Sequence, residues 1–250
     1  MLRKWKQAVV VGSSQGIGEA LVYELARHDI SVALVSRNDA AMKAVAEKAK
    51  TLGQAKYFPT YHHDVTNYAE VPELFQQITK DIGGLDVIIY NAGVMPDVKL
   101  DEYNFEKDKH IIEVNLLGAM AWLDEAAKRF TSVEEGTIVG ISSIAGERGR
   151  IVNPPYHTSK AAIATYLESL RNRLSRRGVN VVTIKPGLIE TEMGKKSPNR
   201  LWMITPEEAA RQIVKAARRG AVVKYVPWKW RIMSFVLHSI PSFIFRRLSF

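Results

Sequence analysis

Short apolar runs alternate with longer segments of mixed polarity along most of the chain. Seven of these runs have the length of β-strands: residues 7–11, 31–35, 56–63, 85–90, 137–141, 179–184 and 221–226. In the first segment between runs, Ile17, Leu21 and Leu25 follow the spacing of a helix that buries one face. Strands that alternate with helices predict an α/β fold, a single domain built on one doubly wound parallel sheet of seven strands flanked by helices.

Capping residues mark the predicted starts of three helices, at Asn38, Pro154 and Thr205. A longer helical segment is predicted from about residue 105 to residue 130 and contains Asn115. Asparagine is a poor helix former, so a buried Asn115 needs a purpose. It would either hold a water molecule in a proton relay or bond only to its own surroundings.

The composition is that of an ordinary globular protein, with 46% hydrophobic and 24% charged residues in a chain of 250. The absence of cysteine excludes disulfides, thiolate chemistry and zinc sites built on sulfur, and it suits a reducing cytoplasm. No run approaches the roughly 18 to 20 uncharged apolar residues that span a bilayer. The basic start at residues 1–6 mimics a signal peptide, but the apolar run after it is too short. We therefore expect a cytoplasmic protein.

The net charge of +9 is concentrated near the C-terminus. Residues 195–250 contain twelve Lys or Arg and two acidic residues, which leaves a charge of −1 on the first 194 residues. An overall pI near 9.6 is compatible with nucleic-acid binding. A neutral body with a basic tail indicates a local surface contact instead, and no nucleic-acid recognition module is present.

A glycine-rich loop follows the first predicted strand directly and leads into a helix. It reads Gly12-Ser13-Ser14-Gln15-Gly16-Ile17-Gly18. Glycines let a backbone turn tightly and approach a pyrophosphate, which binds to the free N–H groups of the helix start. The spacing differs from the commoner Gly-x-Gly-x-x-Gly, so a plain turn is the alternative.

The second predicted strand ends at Ser36 and Arg37, where a dinucleotide fold presents a residue to the adenosine ribose. An acidic residue there would repel a 2′-phosphate, whereas Arg37 can pair with one. This favours NADP(H), with NAD(H) possible; the alternative is that Arg37 is only a solvated charge. His62 and His63 are adjacent on a predicted strand and face opposite ways, so no shared metal site is expected.

The strongest candidate chemistry lies between residues 143 and 160. Tyr156 and Lys160 are four positions apart on a predicted helix, which places the phenol and the amine on one face. A cation beside a phenol lowers its pKa from roughly 10, so that it can exchange a proton near neutral pH. Ser142 and Ser143 follow the fifth strand and supply hydroxyls.

Taken together, these residues resemble the short-chain dehydrogenase/reductase family, of the roughly 250-residue type with a Rossmann-type fold. The resemblance covers about residues 7–226. It rests on residues that occur in the family's order: Gly12, Gly16, Gly18, Asp64, Asn91, Ala92, Gly93, Asn115, Ser143, Tyr156, Lys160, Pro186 and Gly187. The gap of thirteen residues before Tyr156 selects Ser143 over Ser142 as the catalytic serine.

The resemblance implies a hydride-transfer enzyme whose catalytic residues are Asn115, Ser143, Tyr156 and Lys160. Tyr156 would be the general acid and Ser143 would position the carbonyl oxygen, while Lys160 would tune the tyrosine and bind the nicotinamide ribose. Asn115 would hold the relay water. The implied cofactor-binding residues are Gly12, Ser14, Gln15, Gly16, Ile17, Gly18, Arg37, Asp64, Val65, Asn91, Ala92, Gly93, Tyr156, Lys160, Pro186, Gly187, Ile189 and Thr191.

The substrate is less well defined. In this family the pocket is walled by the loop after Ser143 and by a lid, here residues 188–204. That lid contains apolar side chains, Met193, Leu201, Trp202 and Met203, so we expect an apolar ketone or aldehyde, or the corresponding alcohol. Basic residues near the pocket would either meet an anionic tail of the substrate or be solvated surface charges; they are Arg148, Lys195 and Lys196. The family also implies a homodimer or homotetramer.

Residues 227–250 form a basic, apolar tail beyond the domain of residues 1–226. Within it, the stretch 232–245 has no formal charge and is flanked by bases and aromatic residues. It is too short to span a bilayer and is interrupted by Pro241. It would lie in the interface of an anionic membrane, or cover the pocket, or pack on a neighbouring subunit.

Three functions fit the sequence. The first is an NADPH-dependent carbonyl reductase, which we favour. The second is an NAD-dependent alcohol dehydrogenase of the same fold. The third is a non-catalytic nucleotide-binding sensor or membrane-associated scaffold.

Overall fold

A parallel sheet of seven strands forms the centre of the computed structural model, which describes residues 2–195 and 200–248. The strands are β1 (Gln7–Val11), β2 (Ser31–Ser36), β3 (Thr60–His62), β4 (Val87–Tyr90), β5 (Gly136–Ile141), β6 (Val179–Pro186) and β7 (Val223–Val226). Their order across the sheet is β3-β2-β1-β4-β5-β6-β7. The order reverses between β1 and β4, and ligands bind at the carboxyl ends of strands at such a switch point. The predicted fold class is confirmed.

Helices cover both faces of this sheet. Those in the described residues are α1 (Gly16–Ala26), α2 (Asp39–Ala49), α3 (Val71–Asp81), α4 (Phe105–Ile112), α5 (Gly118–Val133), α6 (Pro154–Leu174), α7 (Glu192–Lys195), α8 (Pro206–Arg218), α9 (Trp230–Ser239) and α10 (Ser242–Phe245). Alternate residues of β1 enter different cores: Val10 packs with α1, α2 and α8, and Val9 packs with α3, α5 and α6. Strands buried on both faces explain the continuous apolar runs of the sequence.

The predicted capping residues begin their helices. Asn38 Oδ1 accepts from Ala41 N at 3.0 Å, and Thr205 Oγ1 accepts from Glu208 N at 3.2 Å. Pro154 is the first residue of α6. These starts were readable from the sequence because a cap depends on a side chain and a backbone amide only three residues apart.

Two predicted elements differ from the structure. The helix predicted over 105–130 is interrupted between α4 and α5 by a π-helical segment, Glu113–Leu117. The strand predicted over 56–63 is only Thr60–His62, because Pro59 accepts from Leu34 N at 2.9 Å but has no amide hydrogen to return. Both differences from the predicted elements depend on backbone hydrogen bonds, which cannot be predicted from the spacing of apolar residues.

The C-terminal tail packs against the body of the protein through the inner face of α9. Trp230 is buried and its indole contacts Trp202 edge-on, with 5.6 Å between ring centroids. It also fills the space over Gly187, where a Cβ would lie 1.9 Å from Trp230 Nε1. None of the helices in the described ranges is both long enough and apolar enough to cross a lipid bilayer.

A buried carboxylate fastens α9 to the loop after Ser143. Glu147, whose side chain is 6% exposed, accepts from Lys185 at 2.6 Å, Ser234 at 2.8 Å and Tyr225 at 3.1 Å. Burial alone would raise the pKa of Glu147, but the hydrogen bonds from Lys185 and Ser234 hold it below its ordinary value. The carboxylate is therefore charged at neutral pH and joins the loop, β6, β7 and α9.

The next residue, Arg148, also binds the tail. Its guanidinium donates to the backbone oxygens of Leu237 at 2.5 Å and Ile240 at 2.6 Å, and it lies 3.9 Å from the ring centroid of Phe245. The expectation that Arg148 is either a substrate contact or a solvated charge is wrong, because the carbonyls at the end of α9 occupy it.

The two lysines grouped with Arg148 differ from it. Lys195 forms an exposed ion pair with Glu192 at 2.7 Å. This agrees with the expectation that Lys195 is a solvated surface charge. Lys196 lies outside the described residues.

We expect Glu147→Gln to lower the free energy of unfolding by about 3 kcal/mol, because it leaves the Lys185 ammonium without its counter-charge in a buried position. Urea unfolding monitored by tryptophan fluorescence measures this. The matched control is Glu192→Gln, which removes one charge from the exposed pair with Lys195 and should leave the unfolding midpoint in place. Equal effects of the two substitutions would show that the buried network contributes nothing specific.

Candidate active site

A cleft of about 650 Å³ opens at the carboxyl ends of the central strands. Its walls come from the loops that follow β1, β4, β5 and β6, and from the start of α6. Most residues predicted from the sequence line it: Gly12, Ser14, Gln15, Gly16, Ile17, Arg37, Asp64, Val65, Asn91, Ala92, Gly93, Ser143, Tyr156, Lys160, Pro186, Gly187, Ile189 and Thr191. Of the predicted catalytic and cofactor-binding residues, Gly18 and Asn115 do not line it, and both lie directly behind the wall. Of the four apolar lid residues expected at the substrate, Met193 lines the cleft, whereas Leu201, Trp202 and Met203 do not.

The glycine loop is shaped by close backbone contacts. Gly12 has φ of +84°, and a Cβ there would lie 2.6 Å from Ala92 N. A Cβ on Gly18 would lie 1.9 Å from the Gly12 oxygen, so Gly18 permits α1 to start against the loop. No side chain caps α1 at Gln15, which leaves its first amides for an anion. The loop therefore fits a dinucleotide pyrophosphate.

The end of β2 forms the part of the cleft expected to hold the adenosine. Arg37 Nη1 pairs with Asp64 Oδ2 at 3.2 Å, and Ser36 Oγ donates to Ser14 Oγ at 2.9 Å. The Arg37 side chain is 56% exposed. Burial would raise the pKa of Asp64, but hydrogen bonds from Thr66 and Arg37 hold it below its ordinary value. Arg37 is thus a surface charge held beside the cleft by one carboxylate.

Lys160 is a buried amine in the middle of the cleft. The residue is 5% exposed, and Nζ donates to the Ile141 oxygen at 3.1 Å. Burial lowers the pKa of Lys160 to about 8, because the charged form has lost its water.

Tyr156 is buried beside Lys160, with the lysine Nζ 5.8 Å from the centroid of its ring. Burial raises the pKa of Tyr156, and a hydrogen bond from Ser143 and the charge of Arg150 act in the opposite direction. The expectation that Lys160 lowers the pKa of this phenol is wrong here, because the amine faces the Ile141 carbonyl and is itself less readily charged. The phenol therefore keeps its proton at neutral pH.

The two candidate serines differ in availability. Ser142 is buried and its hydroxyl donates to the Lys160 oxygen at 2.6 Å, so it holds β5 against α6. Ser143 Oγ accepts from Ala145 N at 3.0 Å and donates its own hydrogen to the Tyr156 phenol, so its hydroxyl faces the interior of the cleft. Both serines line the cleft, and the catalytic role of Ser143 stays a prediction.

Asn115 bonds to its surroundings through both amide atoms. Its Oδ1 accepts from Val94 N at 2.7 Å, and its Nδ2 donates to the Val94 oxygen and to Ser159 Oγ, both at 3.0 Å. Gly93 separates it from Lys160: a Cβ there would lie 3.3 Å from Asn115 Oδ1 and 3.4 Å from Lys160 Nζ. These contacts fit the alternative in which Asn115 bonds only to its own surroundings. Its role in holding a relay water stays a prediction.

Several residues of the substrate end were not identified from the sequence. They are Met95, Val98, Arg150, Val152 and His157. His157 Nδ1 lies 2.6 Å from the Ala145 oxygen, and burial lowers the pKa of its imidazole. In the sequence, only its position next to Tyr156 indicated that His157 lies at the site. Arg150 had none, because it lies in a loop without periodicity.

Comparison with known proteins identifies the family of this chain. The family described as short chain dehydrogenase matches residues 6–202. An uncharacterized oxidoreductase of Myxococcus xanthus is 28% identical over 242 residues, covering 96% of this chain and 95% of that protein. An uncharacterized oxidoreductase of Mycobacterium tuberculosis is 29% identical over 247 residues, which cover 98% of this chain and 97% of that protein. An uncharacterized oxidoreductase of Staphylococcus epidermidis is 32% identical over 190 residues, which cover 76% of this chain and 80% of that protein.

Solved structures share the fold. The crystal structure of gox2181 superposes with a TM-score of 0.81 at 20% identity and covers 91% of this chain and 97% of its own. The structure of ElxO with NADP bound has a TM-score of 0.78 at 24% identity, and the superposition covers 90% of this chain and 99% of ElxO. With the family match over most of the chain, the sheet order and the glycine loop at its switch point, the protein belongs to the short-chain dehydrogenase/reductase family of NAD(P)-dependent oxidoreductases.

Proposed function

We propose that this protein is an NADPH-dependent carbonyl reductase that reduces an apolar ketone or aldehyde. The observation that carries the proposal is the meeting of Ser143, Tyr156 and Lys160 in one cleft with a glycine loop that fits a dinucleotide. A bound nicotinamide cofactor supplies the hydride that reduces the carbonyl carbon.

Each side chain has a role that its surroundings support. The Tyr156 phenol gives its proton to the carbonyl oxygen as that oxygen gains electrons, which completes the alcohol. The Ser143 hydroxyl donates to the same oxygen and orients it. The Lys160 amine binds the ribose of the cofactor and assists return of a proton to Tyr156.

The protonation state of Tyr156 suits the acid role that carbonyl reduction requires. Burial raises the pKa of the phenol, so Tyr156 is protonated at neutral pH and ready to act as an acid. Oxidation of an alcohol would need the phenolate as its base. A non-catalytic nucleotide sensor is the other alternative, and it requires no ordered proton donor in the cleft.

We expect Tyr156→Phe to lower kcat for carbonyl reduction by about 10²- to 10⁴-fold, because it removes the proton donor. The assay is NADPH oxidation with a panel of ketones and aldehydes. The control is Tyr166→Phe on the same helix, whose hydroxyl bonds Asp124 at 2.6 Å and which does not line the cleft.

Full activity of the Tyr156→Phe enzyme would contradict the role of the phenol. Tight cofactor binding without turnover of any carbonyl or alcohol would favour the sensor.

The preference for NADP(H) rests on the end of β2. Arg37 and Asn38 directly follow the strand, and they line a hollow beside the cleft with Ser14, Ser36 and Asp39. The carboxylate of Asp39 lies 3.0 Å from His62 Nδ1. The exposed ion pair between Arg37 and Asp64 is worth about 0 to 1 kcal/mol at most. A 2′-phosphate, which offers the guanidinium bidentate bonding, can therefore displace the Asp64 carboxylate.

We expect Arg37→Ala to raise the Kd of NADPH by about 10- to 100-fold, the effect of losing hydrogen bonds to a charged group, and to leave the Kd of NADH unchanged. Fluorescence titration of the two cofactors measures this. Lys43→Ala removes an exposed positive charge from α2 and is the control. An unchanged NADPH affinity would show that Arg37 is only a solvated charge.

The tail offers a surface for an anionic membrane. The inner face of α9 is taken by the body, while Ile232, Phe235 and Val236 form an exposed outer face, with Phe235 74% exposed. Lys229 and Arg231 supply positive charge at the start of this helix. We propose that this face rests in the interface of a bilayer rich in anionic lipid. The homodimer or homotetramer implied by the family also remains a proposal.

We expect the protein to float with vesicles of phosphatidylcholine and phosphatidylglycerol and not with phosphatidylcholine alone. The double variant Ile232→Ser/Phe235→Ser should lose this binding, because apolar area that would enter the interface is removed. Tyr103→Ser, at an exposed aromatic residue outside the tail, is the control. Equal flotation of all three proteins, or none, would contradict a membrane role for the tail.

A further inference from the structure

Arg150 is a positively charged residue in the cleft wall that has no partner of opposite charge among the residues that the structure describes. It lies between the turn after Ser143 and the start of α6, and it lines the same end of the cleft as Tyr156. No ion pair joins its guanidinium to any carboxylate in the part of the chain that the structure describes. Its Nε is buried and has no hydrogen-bond partner.

Other cations around the cleft are already engaged. Arg37 pairs with Asp64, Lys185 pairs with Glu147, and Lys160 donates to a backbone oxygen. Glu192, a carboxylate that also lines the cleft, pairs with Lys195 instead of Arg150. Arg150 therefore differs from its neighbours in having a strong donor group that the fold itself does not use.

The surroundings of Arg150 make this costly unless a ligand completes them. Burial lowers the pKa of Arg150, which means that the charged guanidinium has lost water without gaining a counter-ion. Apolar side chains from Met95, Val98, Val152 and Met193 share this part of the cleft. Arg150 is half-buried and its Nε is fully buried. Polar groups removed from water are nearly always paired in proteins, so this unpaired guanidinium in a ligand cleft points to an anionic group on the ligand.

The anion concerned is not the cofactor pyrophosphate. The glycine loop that fits a pyrophosphate follows β1, and the residues expected at the adenosine follow β2, whereas Arg150 follows β5. Arg150 also acts electrostatically on Tyr156 and His157, which places its charge beside the proposed proton donor. The free donor thus belongs to the substrate end of the cleft.

We propose that Arg150 binds an anionic group of the substrate, so that the substrate class is an oxo compound with an apolar body and a carboxylate or phosphate. This inference rests on the proposed carbonyl reductase function and names the substrate class of that site. A guanidinium fits both anions because it presents parallel N–H groups to two oxygens. The apolar residues beside Arg150 would contact the carbon chain.

Matched substrates test the proposal. We would compare a medium-chain oxo acid, its methyl ester and the corresponding oxo-alkyl phosphate, each with NADPH. The wild-type enzyme should prefer one of the two anions over the ester, which also distinguishes carboxylate from phosphate. Arg150→Gln should lower kcat/KM for the preferred anion by about 100-fold, mainly through KM, and leave the ester unchanged. Arg150→Lys should give an intermediate loss, because it keeps the charge without the bidentate geometry.

Two controls separate recognition from folding. Arg173→Gln changes an exposed arginine on the same helix as Tyr156 and should have no effect on any substrate. The Arg150→Gln enzyme should unfold at the same or a higher urea concentration than the wild type, since an unpaired buried charge is removed. A lower midpoint would assign Arg150 to the fold and overturn the proposal, as would equal rates for acid, phosphate and ester.

A binding measurement separates this inference from the reductase proposal. A saturated alkanoate and an alkyl phosphate of the same chain length cannot be reduced, and their binding is measured by calorimetry with wild-type and Arg150→Gln protein. Anion binding that requires Arg150, without turnover of any carbonyl, would sustain the anion site and refute the reductase. Reduction of neutral ketones with no binding of either anion would sustain the reductase and refute the anion site.

Discussion

Close backbone contact between the carboxyl ends of β1 and β4 is the constraint on which the cleft depends. Asn91 and Ala92 both donate their amides to the Val11 oxygen, at 2.9 and 3.0 Å, and Asn91 Nδ2 donates to the Gly12 oxygen at 2.8 Å. This leaves no room for a Cβ on Gly12. The contact fixes the glycine loop against the strand next to the switch point, so the free amides of α1 lie at the edge of the crevice and not on the outer surface.

The second constraint is the burial of two titratable groups in that crevice. Removal from water disfavours the charged forms of both Lys160 and Tyr156, so the pKa of the amine falls below that of the phenol. An amine with a pKa of about 8 gives up and recovers a proton more readily than a solvated lysine. Gly93 makes the arrangement possible, because any side chain there would press on Lys160 Nζ and Asn115 Oδ1. Burial thus keeps the Tyr156 phenol protonated and brings only the pKa of Lys160 close to neutral pH.

Local and periodic features were predictable from the sequence, and long-range partners were not. The individual strands, the caps at Asn38 and Thr205 and the glycine loop each depend on residues close together in the chain. The shortened β3 and the π-helical segment depend on hydrogen bonds to other elements. Glu147 meets Ser234, 87 positions later, and no repeat or motif connects the two. The role of Arg148 was misjudged for the same reason, since its acceptors lie 89 and 92 positions away.

The loop after Ser143 shows how the fold assigns charges that look alike in sequence. Glu147, Arg148 and Arg150 stand within four positions, yet each has a different environment. Glu147 is neutralised by Lys185, and Arg148 by the carbonyls at the end of α9, so both anchor the tail. These two anchors fix the backbone that leads to Arg150, and a guanidinium on a fixed loop can discriminate among substrates better than one on a mobile loop. The tail therefore contributes to the substrate end of the cleft without lining it, because it sets the position of the loop that does.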